Sequence, residues 1–326
     1  MPASADRLFA ARHSRADASL TAAVAVTPER RARIEALAYD YASRAKEPVR
    51  ECNLCGGSRL VEVSRVDRYG YSAVFMLCAR CGLGFIAPRL TPAEYAVFYD
   101  GVYRPLVSAY HGRLIDAETV QVEQLEYAEA LGAHLDRVLG SRPRSIMDVG
   151  GSTGVVAAPL RERFGAEVTV LDPAPEELRV AEAAGMETVA GFAEDYDPAG
   201  RTWDLVLLCQ TIDHLLDVRS TLEAIRRMLG PDGRAFVDVL DVGFMMRRHG
   251  GIEGAVKVDH PFYLTRRTAL AYFAVAGLEP RSERTSDDGH WGFVLAPAEP
   301  AEPDWHELRA GAEGLLADAW ALRAVA

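Results

Sequence analysis

Apolar positions change their spacing along the chain, and the change divides the sequence into two parts. From residue 145 onwards, short β-branched runs alternate with stretches of helical periodicity. This pattern is typical of a parallel sheet covered by helices on both faces. Before residue 145, helical stretches flank a segment of short strands and turns. The sequence therefore predicts an α/β fold with a smaller accessory region at its N-terminal side.

The alternating part predicts five parallel strands joined by helices and followed by a closing pair of strands. The strands fall near residues 145–149, 167–171, 187–190, 203–209 and 234–240. The helices between them fall near residues 154–164, 175–184 and 219–229, and Gly230-Pro231-Asp232-Gly233 predicts a turn after the last one. After a helix at 265–276, the runs at 278–283 and 291–296 predict a hairpin-like pair, antiparallel to the other strands.

The N-terminal part predicts a tail, three helices and a hairpin. Residues 1–26 are rich in Ala, Arg and Ser and predict a loosely ordered tail. Thr27-Pro28 indicates a helix start, and apolar spacing continues that helix past Tyr41 to end before Pro48. The runs at 60–66 and 72–77 predict the hairpin. A capping box at residues 91–94 starts the second helix, and the third fits residues 116–139, with the buried stripe Leu125, Ala128, Leu131, Leu135 and Val138.

Four of the five cysteines form two Cys-x-x-Cys pairs around this hairpin. Cys52 and Cys55 make the first pair, Cys78 and Cys81 make the second, and a glycine follows each pair. The 22 residues between the pairs fit a four-cysteine zinc ribbon. Because four thiolates complete the tetrahedron around Zn²⁺, the predicted metal site is structural. A redox pair and unpaired core cysteines are the alternatives.

A glycine-rich stretch after the first strand of the alternating part predicts a cofactor site. Gly150, Gly151 and Gly154 fall within five positions, between an apolar run and a helical one. Glycine lets the backbone approach a ligand, and a helix start presents unpaired N–H groups to it. Asp172 ends the next strand 18 residues after Gly154, near the spacing at which a carboxylate receives ribose hydroxyls. A dinucleotide oxidoreductase and a methyltransferase both fit these features.

The scarcity of lysine weakens the oxidoreductase interpretation. Lys46 and Lys257 are the only lysines among 36 basic residues. Neither has a tyrosine four positions earlier, so the Tyr-x-x-x-Lys pair of short-chain dehydrogenases is absent. A Schiff-base enzyme would also have to use one of these two lysines.

Four motifs in order resemble those of class I S-adenosylmethionine-dependent methyltransferases. The segment from Asp148 to Gly154 resembles the first motif, with Ser152 in place of its middle glycine. Asp172 matches the second motif, and residues 191–195 resemble the third. Residues 203–208 and 211–215 resemble the fourth strand and the helix after it. From about residue 50 onwards, the chain resembles bacterial methyltransferases with an N-terminal four-cysteine zinc module, among them deoxysugar C-methyltransferases acting on nucleotide-linked sugars.

The resemblance implies S-adenosyl-L-methionine as cofactor, structural Zn²⁺ in the cysteine module, and a role for each motif residue. The glycines would let the backbone approach the methionine part of the cofactor. Asp172 would accept the two ribose hydroxyls, and Phe192 with Ala193 would border the adenine. The predicted cofactor-binding residues are Asp148, Gly150, Gly151, Gly154, Asp172, Phe192, Ala193 and Gln210.

Candidate catalytic residues follow the fourth strand and lie in a later segment. Asp213 and His214 come beside the expected methyl position, where a base would help if the acceptor is a hydroxyl or an acidic carbon. A packing role for His214 is the alternative. His260 lies in residues 242–263, which predict a substrate-facing loop. His290 is a third candidate, for which a surface turn is the simpler interpretation.

Aromatic residues after the second helix predict either packing or a lid. Tyr103, Tyr110 and His111 would in the first case join the accessory region to the main domain. In the second case they would reach the substrate from above the cofactor, with Tyr263 as a further substrate contact.

Charge and composition narrow the partners. A net charge of −11 argues against a nucleic-acid partner. With 49% hydrophobic and 25% charged residues, no apolar run of membrane-spanning length and no secretory apolar core near the start, we expect a cytoplasmic protein with no membrane partner. The sequence leaves open whether the chain forms a homodimer.

The predicted function is S-adenosylmethionine-dependent C- or O-methylation of a small molecule, such as a nucleotide-linked sugar or a natural-product intermediate. One alternative is an RNA- or protein-directed methyltransferase that uses the zinc module for recognition. Another is a relative that binds the cofactor without transferring a methyl group. The predicted segments are a tail and helix at 1–49, a zinc module at 50–90, a helical linker or lid at 91–143, a methyltransferase domain at 144–298 and a C-terminal helix at 299–326.

Overall fold

The computed structural model describes residues 27–115, 117–287 and 289–325. The predicted tail at 1–26 and the Asp116 start of the third helix lie outside these residues. The strands in chain order are β1 (Lys46–Glu47), β2 (Leu60–Ser64), β3 (Phe75–Cys78), β4 (Gly84–Ile86), β5 (Arg89–Leu90), β6 (Ser145–Val149), β7 (Glu167–Asp172), β8 (Glu187–Ala190), β9 (Trp203–Leu208), β10 (Leu229–Leu240), β11 (Phe262–Tyr263), β12 (Leu278–Thr285) and β13 (His290–Pro297). The α-helices are Pro28–Glu35, Pro92–Gly101, Tyr103–His111, Ala117–Val138, Ala157–Phe164, Pro175–Ala183, Val218–Met228, Val242–Arg248, Ile252–Ala255, Arg266–Ala276 and Trp305–Val325.

A seven-stranded sheet forms the centre of the fold, as the alternating pattern predicts. Its strand order is β12-β13-β10-β9-β6-β7-β8, and the strands from β10 to β8 pair in parallel. The order reverses between β6 and β9, where the chain crosses from one half of the sheet to the other. In open α/β sheets, such a switch point places the ligand crevice at the carboxyl ends of the strands.

The two faces of this sheet bury different helices. On one face, the helices Ala117–Val138 and Ala157–Phe164 pack on residues that include Ile146 and Leu205. On the other face, the helices Val218–Met228 and Arg266–Ala276 pack together with part of the cysteine module. Successive side chains of a strand point to opposite faces, so the strands, covered on both sides, read as continuous apolar runs.

A four-stranded antiparallel sheet carries the accessory region and includes a strand from the other part of the chain. Its order is β11-β4-β3-β2, with Phe262 opposite Phe85 and Tyr263 opposite Gly84. The predicted hairpin is therefore present as β2 and β3, and a distant segment completes its sheet. Accessory region and main domain share backbone hydrogen bonds through β11.

The closing strands differ from the prediction in direction. Only β13 is antiparallel to the rest of the sheet, since it pairs antiparallel with β10. β12 pairs antiparallel with β13 and therefore runs in the same direction as the parallel strands. The expected antiparallel direction is confirmed for β13, the last strand. For the run at 278–283 it was wrong, because a hairpin at the edge of a sheet must place one strand in each direction.

Three further expectations need correction. The first helix ends at Glu35, because the chain turns at Ala38 (φ 52°) and Asp40 caps a short 3₁₀ turn at Tyr41–Ser43. The predicted loop at 242–263 instead forms two short helices and β11. In the third helix, Leu125 is 39% exposed, while Ala128, Leu131 and Leu135 are buried. The buried stripe is therefore narrower than predicted.

The predicted turn at residues 230–233 lies inside a strand. Leu229 pairs with Trp203 and Arg234 pairs with Leu205, so the residues between them bulge out of the ladder. The helix before this bulge still ends where the glycine and proline predicted, at Met228. Within the described residues, none of the helices combines the length and the apolar character that crossing a membrane requires.

Candidate functional site

The glycine loop connects β6 to the helix Ala157–Phe164 at the carboxyl edge of the sheet. Gly150 and Gly154 have φ values of 67° and 73°, in the left-handed region that favours glycine. A Cβ atom at Gly151 would lie 2.5 Å from the carboxyl carbon of Asp148, and one at Gly150 would lie 2.5 Å from Cγ2 of Thr211. The absence of side chains therefore lets the loop close over Asp148 and against the turn that follows β9.

Asp172 lies at the end of β7, as predicted, and faces the same loop. Its Oδ2 accepts a hydrogen bond from the backbone N–H of Ser152 at 2.9 Å, and its Oδ1 accepts one from Ala174 at 2.8 Å. The loop is thus tied to the carboxylate by main-chain groups. Burial raises the pKa of Asp172, while these two backbone hydrogen bonds act in the opposite direction.

Asp148 is the most deeply placed acid of this region. It is 1% exposed, and no described residue makes a hydrogen bond to its Oδ2. Burial raises its pKa to about 7, with a smaller contribution from the charge of Asp172. A buried oxygen without a partner costs free energy, so this atom fits a site in which a ligand supplies the missing hydrogen-bonding group.

The remaining cofactor-binding predictions flank this loop. Phe192 is 48% exposed, and Ala193 beside it is buried, which leaves one aromatic face open at the end of β8. Gln210 follows β9 with a φ of 51°, and its backbone N–H donates to Oδ1 of Asp238 at 2.5 Å. The position of these residues at the same sheet edge agrees with the prediction, and their contact with a cofactor stays a prediction.

Asp213, His214 and His260 form a cluster beside the loop. Nδ1 of His260 lies 2.7 Å from Oδ2 of Asp213, and Nε2 of His214 lies 4.0 Å from Oδ1 of the same carboxylate. The two imidazole rings are 4.5 Å apart. His260 belongs to the segment 242–263, which was predicted as a loop. The strand β11, which begins two residues after His260, holds it at this position.

Tyr99 and Asp259 hold the His214 ring at Nδ1. The hydroxyl of Tyr99 donates to the carbonyl oxygen of Asp259 at 2.7 Å and lies 2.7 Å from Nδ1 of His214. In the tautomer of His214 that carries its proton on Nδ1, this nitrogen donates to the Tyr99 oxygen and Nε2 is an acceptor. Nδ1 of His260 likewise donates to the Asp213 carboxylate.

Burial and charge shift the pKa values of Asp213 and His260 in this cluster. Burial lowers the pKa of His260 to about 4, although Asp213 opposes that shift. For Asp213, burial acts to raise the pKa, but His260 and His214 outweigh it and hold the pKa well below its usual range. The cluster therefore contains an ionised Asp213 beside a neutral His260.

The four predicted zinc ligands converge at one point. Sγ of Cys52 lies 3.5 Å from Sγ of Cys81, and Sγ of Cys55 lies 3.5 Å from Sγ of Cys78. One ligand atom from each cysteine lies within 4.8 Å of the others. A tetrahedral Zn²⁺ with Zn–S bonds of about 2.3 Å would separate its sulfurs by about 3.8 Å. The thiols therefore have the chemistry and spacing of a metal site.

Asp213, His214 and His260 could in principle also hold a metal, since their ligand atoms lie within 4.8 Å of one another. However, Asp213 and Nδ1 of His260 already form a 2.7 Å hydrogen bond. This hydrogen bond occupies two of the three candidate ligand atoms.

Comparison with known proteins agrees with this geometry. Residues 123–283, which include the glycine loop, Asp172 and the histidine cluster, match the family described as "Methyltransferase domain". Residues 123–283 are a methyltransferase domain.

Curated relatives of this methyltransferase domain include an enzyme named for ubiquinone biosynthesis. The ubiquinone biosynthesis O-methyltransferase of Methylobacterium sp. (strain 4-46) is 35% identical over 114 residues, which are 32% of this chain and 45% of the relative. The homologous enzyme of Azorhizobium caulinodans is 32% identical over 102 residues, 29% of this chain and 40% of the relative. The chain thus spans less than half the length of these curated relatives.

Among solved structures, the domain is similar to a 1,6-didemethyltoxoflavin-N1-methyltransferase of Burkholderia thailandensis, crystallised with 1,6-didemethyltoxoflavin and S-adenosylhomocysteine. The TM-score is 0.46 at 20% sequence identity, over 67% of this chain and 96% of that one.

The predicted substrate residues occupy different surroundings. Tyr110 is buried, and His111 packs beside it with ring centres 5.2 Å apart. Tyr103 packs against Tyr99 of the histidine cluster, with ring centres 5.5 Å apart. Tyr263 is buried, and its hydroxyl accepts from the backbone N–H of Lys257 and donates to the carbonyl of the same residue, each at 2.6 Å.

Two residues outside the predicted site also contribute to the cluster. Tyr99 lies on the helix Pro92–Gly101, and no sequence signal distinguished its hydroxyl from those of the neighbouring tyrosines. Asp259 is fully buried, and its Oδ2 lies 3.4 Å from both Nζ of Lys257 and Nε2 of His260. Its place next to His260 in sequence was visible, but only the fold shows that it faces a second ring nitrogen.

The cysteine module is anchored to the methyltransferase domain beside the cluster. Asn53, between the first two cysteines, donates from Nδ2 to Oδ1 of Asp217 at 2.8 Å and accepts from the Tyr272 hydroxyl at 2.9 Å. Asp217 caps the helix Val218–Met228 through the Ser220 N–H. Nη1 of Arg89 donates to the carbonyl of Leu216 at 2.8 Å. Both contacts hold the residues that directly follow Asp213 and His214.

The burial of His260 predicts a pH dependence of stability. In the unfolded chain this imidazole takes up a proton near pH 6.5, but in the fold only near pH 4. Between these values the unfolded state binds more protons, so stability falls as the pH falls from about 6.5 to about 4, by at most about 1.4 kcal/mol per pH unit from this residue. Replacing His260 with Gln should flatten that slope in urea unfolding at pH 7 and pH 5. The exposed His306 provides the control variant His306→Gln, and equal slopes in wild type and His260→Gln would contradict the assignment.

Proposed function

We propose that this chain is an S-adenosylmethionine-dependent methyltransferase that acts on a small molecule. The observation that carries the proposal is the contact between two parts of the site. The loop at Gly150 lies against Thr211, two residues before Asp213, so the predicted cofactor cradle and the histidine cluster adjoin. Names of the curated relatives, which refer to O-methylation in ubiquinone biosynthesis, support a small-molecule acceptor.

The residues of the cradle fit S-adenosylmethionine. Asp172 offers the carboxylate that two ribose hydroxyls require, and Phe192 offers an open aromatic face. The buried Oδ2 of Asp148 lacks a hydrogen-bond partner among the described residues and would accept one from the bound cofactor. When bound, the cofactor supplies a methyl group already activated on a sulfonium. The protein's contribution is to hold and orient the donor and acceptor.

In this proposal His214 accepts the proton of the methyl acceptor. In the tautomer with the proton on Nδ1, its Nε2 is the acceptor, and its side chain is 27% exposed, whereas the side chain of His260 is 5% exposed. When Nε2 takes up a proton, the Asp213 carboxylate 4.0 Å away stabilises the new charge. His260 and Tyr99 are positioning residues, because the first holds Asp213 and the second holds His214. Oxygen or carbon acceptors both fit this scheme, and we favour a nucleotide-linked sugar or a natural-product intermediate.

The proposal assigns a structural role to Zn²⁺ bound by the four cysteines. Cys52, Cys78 and Cys81 are buried in the same apolar cluster as the helix Arg266–Ala276, so a metal here would stabilise the contact between the module and the domain. Asn53 would then depend on the metal for its position at Asp217. This arrangement favours a structural module over one that recognises RNA, which the net charge of −11 also disfavours.

The affinity for the cofactor should depend on Asp172. Asp172→Ala removes the carboxylate that would accept both ribose hydroxyls, so its affinity for S-adenosylhomocysteine should fall by about tenfold or more in calorimetry, since charged hydrogen bonds contribute about 1.5–3 kcal/mol. Glu176→Ala, an exposed acid of the following helix, is the control and should bind as wild type does. Unchanged affinity in Asp172→Ala would remove this assignment.

The second prediction concerns the proton acceptor. Purified enzyme is incubated with labelled S-adenosylmethionine and a panel of nucleotide sugars to find an acceptor. On that acceptor, His214→Gln should lower kcat by about 10²-fold or more without changing affinity for S-adenosylhomocysteine. His260→Gln should lower kcat less and shift the pH profile, because it acts through Asp213. If His260→Gln abolishes turnover while His214→Gln retains it, the two roles are reversed.

The third prediction concerns the metal. Elemental analysis of the purified protein should find about one zinc per chain, as expected for a closed four-cysteine site. Cys78→Ser should lose the metal and lower the unfolding temperature. Cys209→Ser removes the fifth cysteine, which lies outside the module, and should retain the metal. Full metal content in Cys78→Ser would show that the four thiols do not form the site.

A further inference from the structure

A buried arginine with two unpaired side-chain nitrogens lies on a loop that is hydrogen-bonded to the segment before the histidine cluster. Arg68 is 9% exposed, and no described residue makes a hydrogen bond to its Nε or Nη2. A buried guanidinium is costly unless an anion pairs with it. The adjacent Asp67 does not neutralise it by hydrogen bonding, because its carboxylate accepts from the backbone N–H groups of Tyr69, Tyr71 and Val258.

Further basic groups surround the same position. The Cζ atoms of Arg68 and Arg30 lie 5.7 Å and 4.6 Å from the centre of the Tyr110 ring. Burial lowers the pKa of His249 to about 4, and the charges of Arg68, Arg248, Arg30 and His111 contribute to that shift. Burial likewise lowers the pKa of His111, with Arg113, Arg68 and Arg30 acting in the same direction and Glu123 against them. We call Arg30, Arg68, His111 and His249 the basic pocket.

The basic pocket is connected to the proposed catalytic cluster. The backbone N–H of Arg68 donates to Val256, and Asp67 accepts from Val258, so the loop of Arg68 is bonded to the segment that ends in Asp259 and His260. Tyr103 packs against Tyr99 of the histidine cluster, with ring centres 5.5 Å apart. Burial raises the pKa of Tyr103, Asp259 and Asp213 add to the shift, and Arg104 and Arg68 oppose it.

We propose that the basic pocket binds a phosphate or diphosphate group of the methyl acceptor, with Arg68 as the principal contact. A guanidinium pairs with phosphate oxygens through two parallel N–H donors, which matches the two unpaired nitrogens of Arg68. The two positive charges of Arg68 and Arg30 suit a dianionic phosphate better than a single carboxylate. This inference rests on the proposed function only in treating the bound phosphate as part of the acceptor.

Calorimetry on the full chain tests the inference without requiring turnover. The probes are UDP, inorganic pyrophosphate and uridine, which has the nucleoside but no phosphate. Wild type should bind UDP at least about tenfold more tightly than uridine and should also bind pyrophosphate. Arg68→Gln should weaken UDP and pyrophosphate binding by about tenfold or more and leave S-adenosylhomocysteine binding unchanged.

Two further variants keep this test decisive. Arg30→Gln removes a less buried charge of the same pocket and should also weaken UDP binding, so it carries the test if Arg68→Gln fails to fold. Arg281→Gln removes an exposed charge on β12, which pairs with Glu279, and should bind UDP as wild type does.

Equal affinity of wild type for UDP and uridine would overturn the inference. Wild-type UDP affinity in folded Arg68→Gln and Arg30→Gln would overturn it as well. Failure to bind S-adenosylhomocysteine would instead refute the proposed function, so the two failures can be told apart.

Discussion

The structure depends on how the cysteine module is joined to both sides of the histidine cluster. On one side, Asn53 and Arg89 hold the residues that directly follow Asp213 and His214. On the other side, β11 begins two residues after His260 and pairs with β4 of the module. Neither half of the cluster is positioned by the seven-stranded sheet alone. A change that loosens the module should therefore alter the 2.7 Å contact between His260 and Asp213 as well as the module itself.

Three buried polar atoms without a hydrogen-bond partner lie where ligands are proposed. Oδ2 of Asp148 and two nitrogens of Arg68 are buried without hydrogen-bond partners among the described residues. Each such atom costs free energy in the unliganded fold, and a ligand that satisfies it recovers that cost on binding. The two sites would bind opposite chemical groups. The Asp148 oxygen would accept a hydrogen bond from a donor, whereas the Arg68 guanidinium would pair with an anion.

The sequence predicted the sheet well because local signals were strong there. The glycine loop, the Asp172 strand end and the two cysteine pairs each follow from short-range spacing, and the structure has them where expected. The partnership of β11 with β4 could not be predicted, because two residues of strand in a segment read as loop carry almost no periodic signal. Arg68 was missed for a related reason. In the sequence it is one of 34 arginines. What distinguishes Arg68 is its burial beside Asp67, whose carboxylate already accepts hydrogen bonds from other groups.

The basic pocket also bears on which acceptor the enzyme uses. An apolar acceptor would leave Arg68 buried and unpaired. A phosphorylated acceptor would pair it and place the rest of the molecule toward Tyr103 and the His214 side of the cluster. The overall charge of −11 would repel such an anion at long range, so recognition would have to come from these local groups. Affinity for the phosphate should therefore depend on individual arginines of the pocket, and far less on the net charge of the protein.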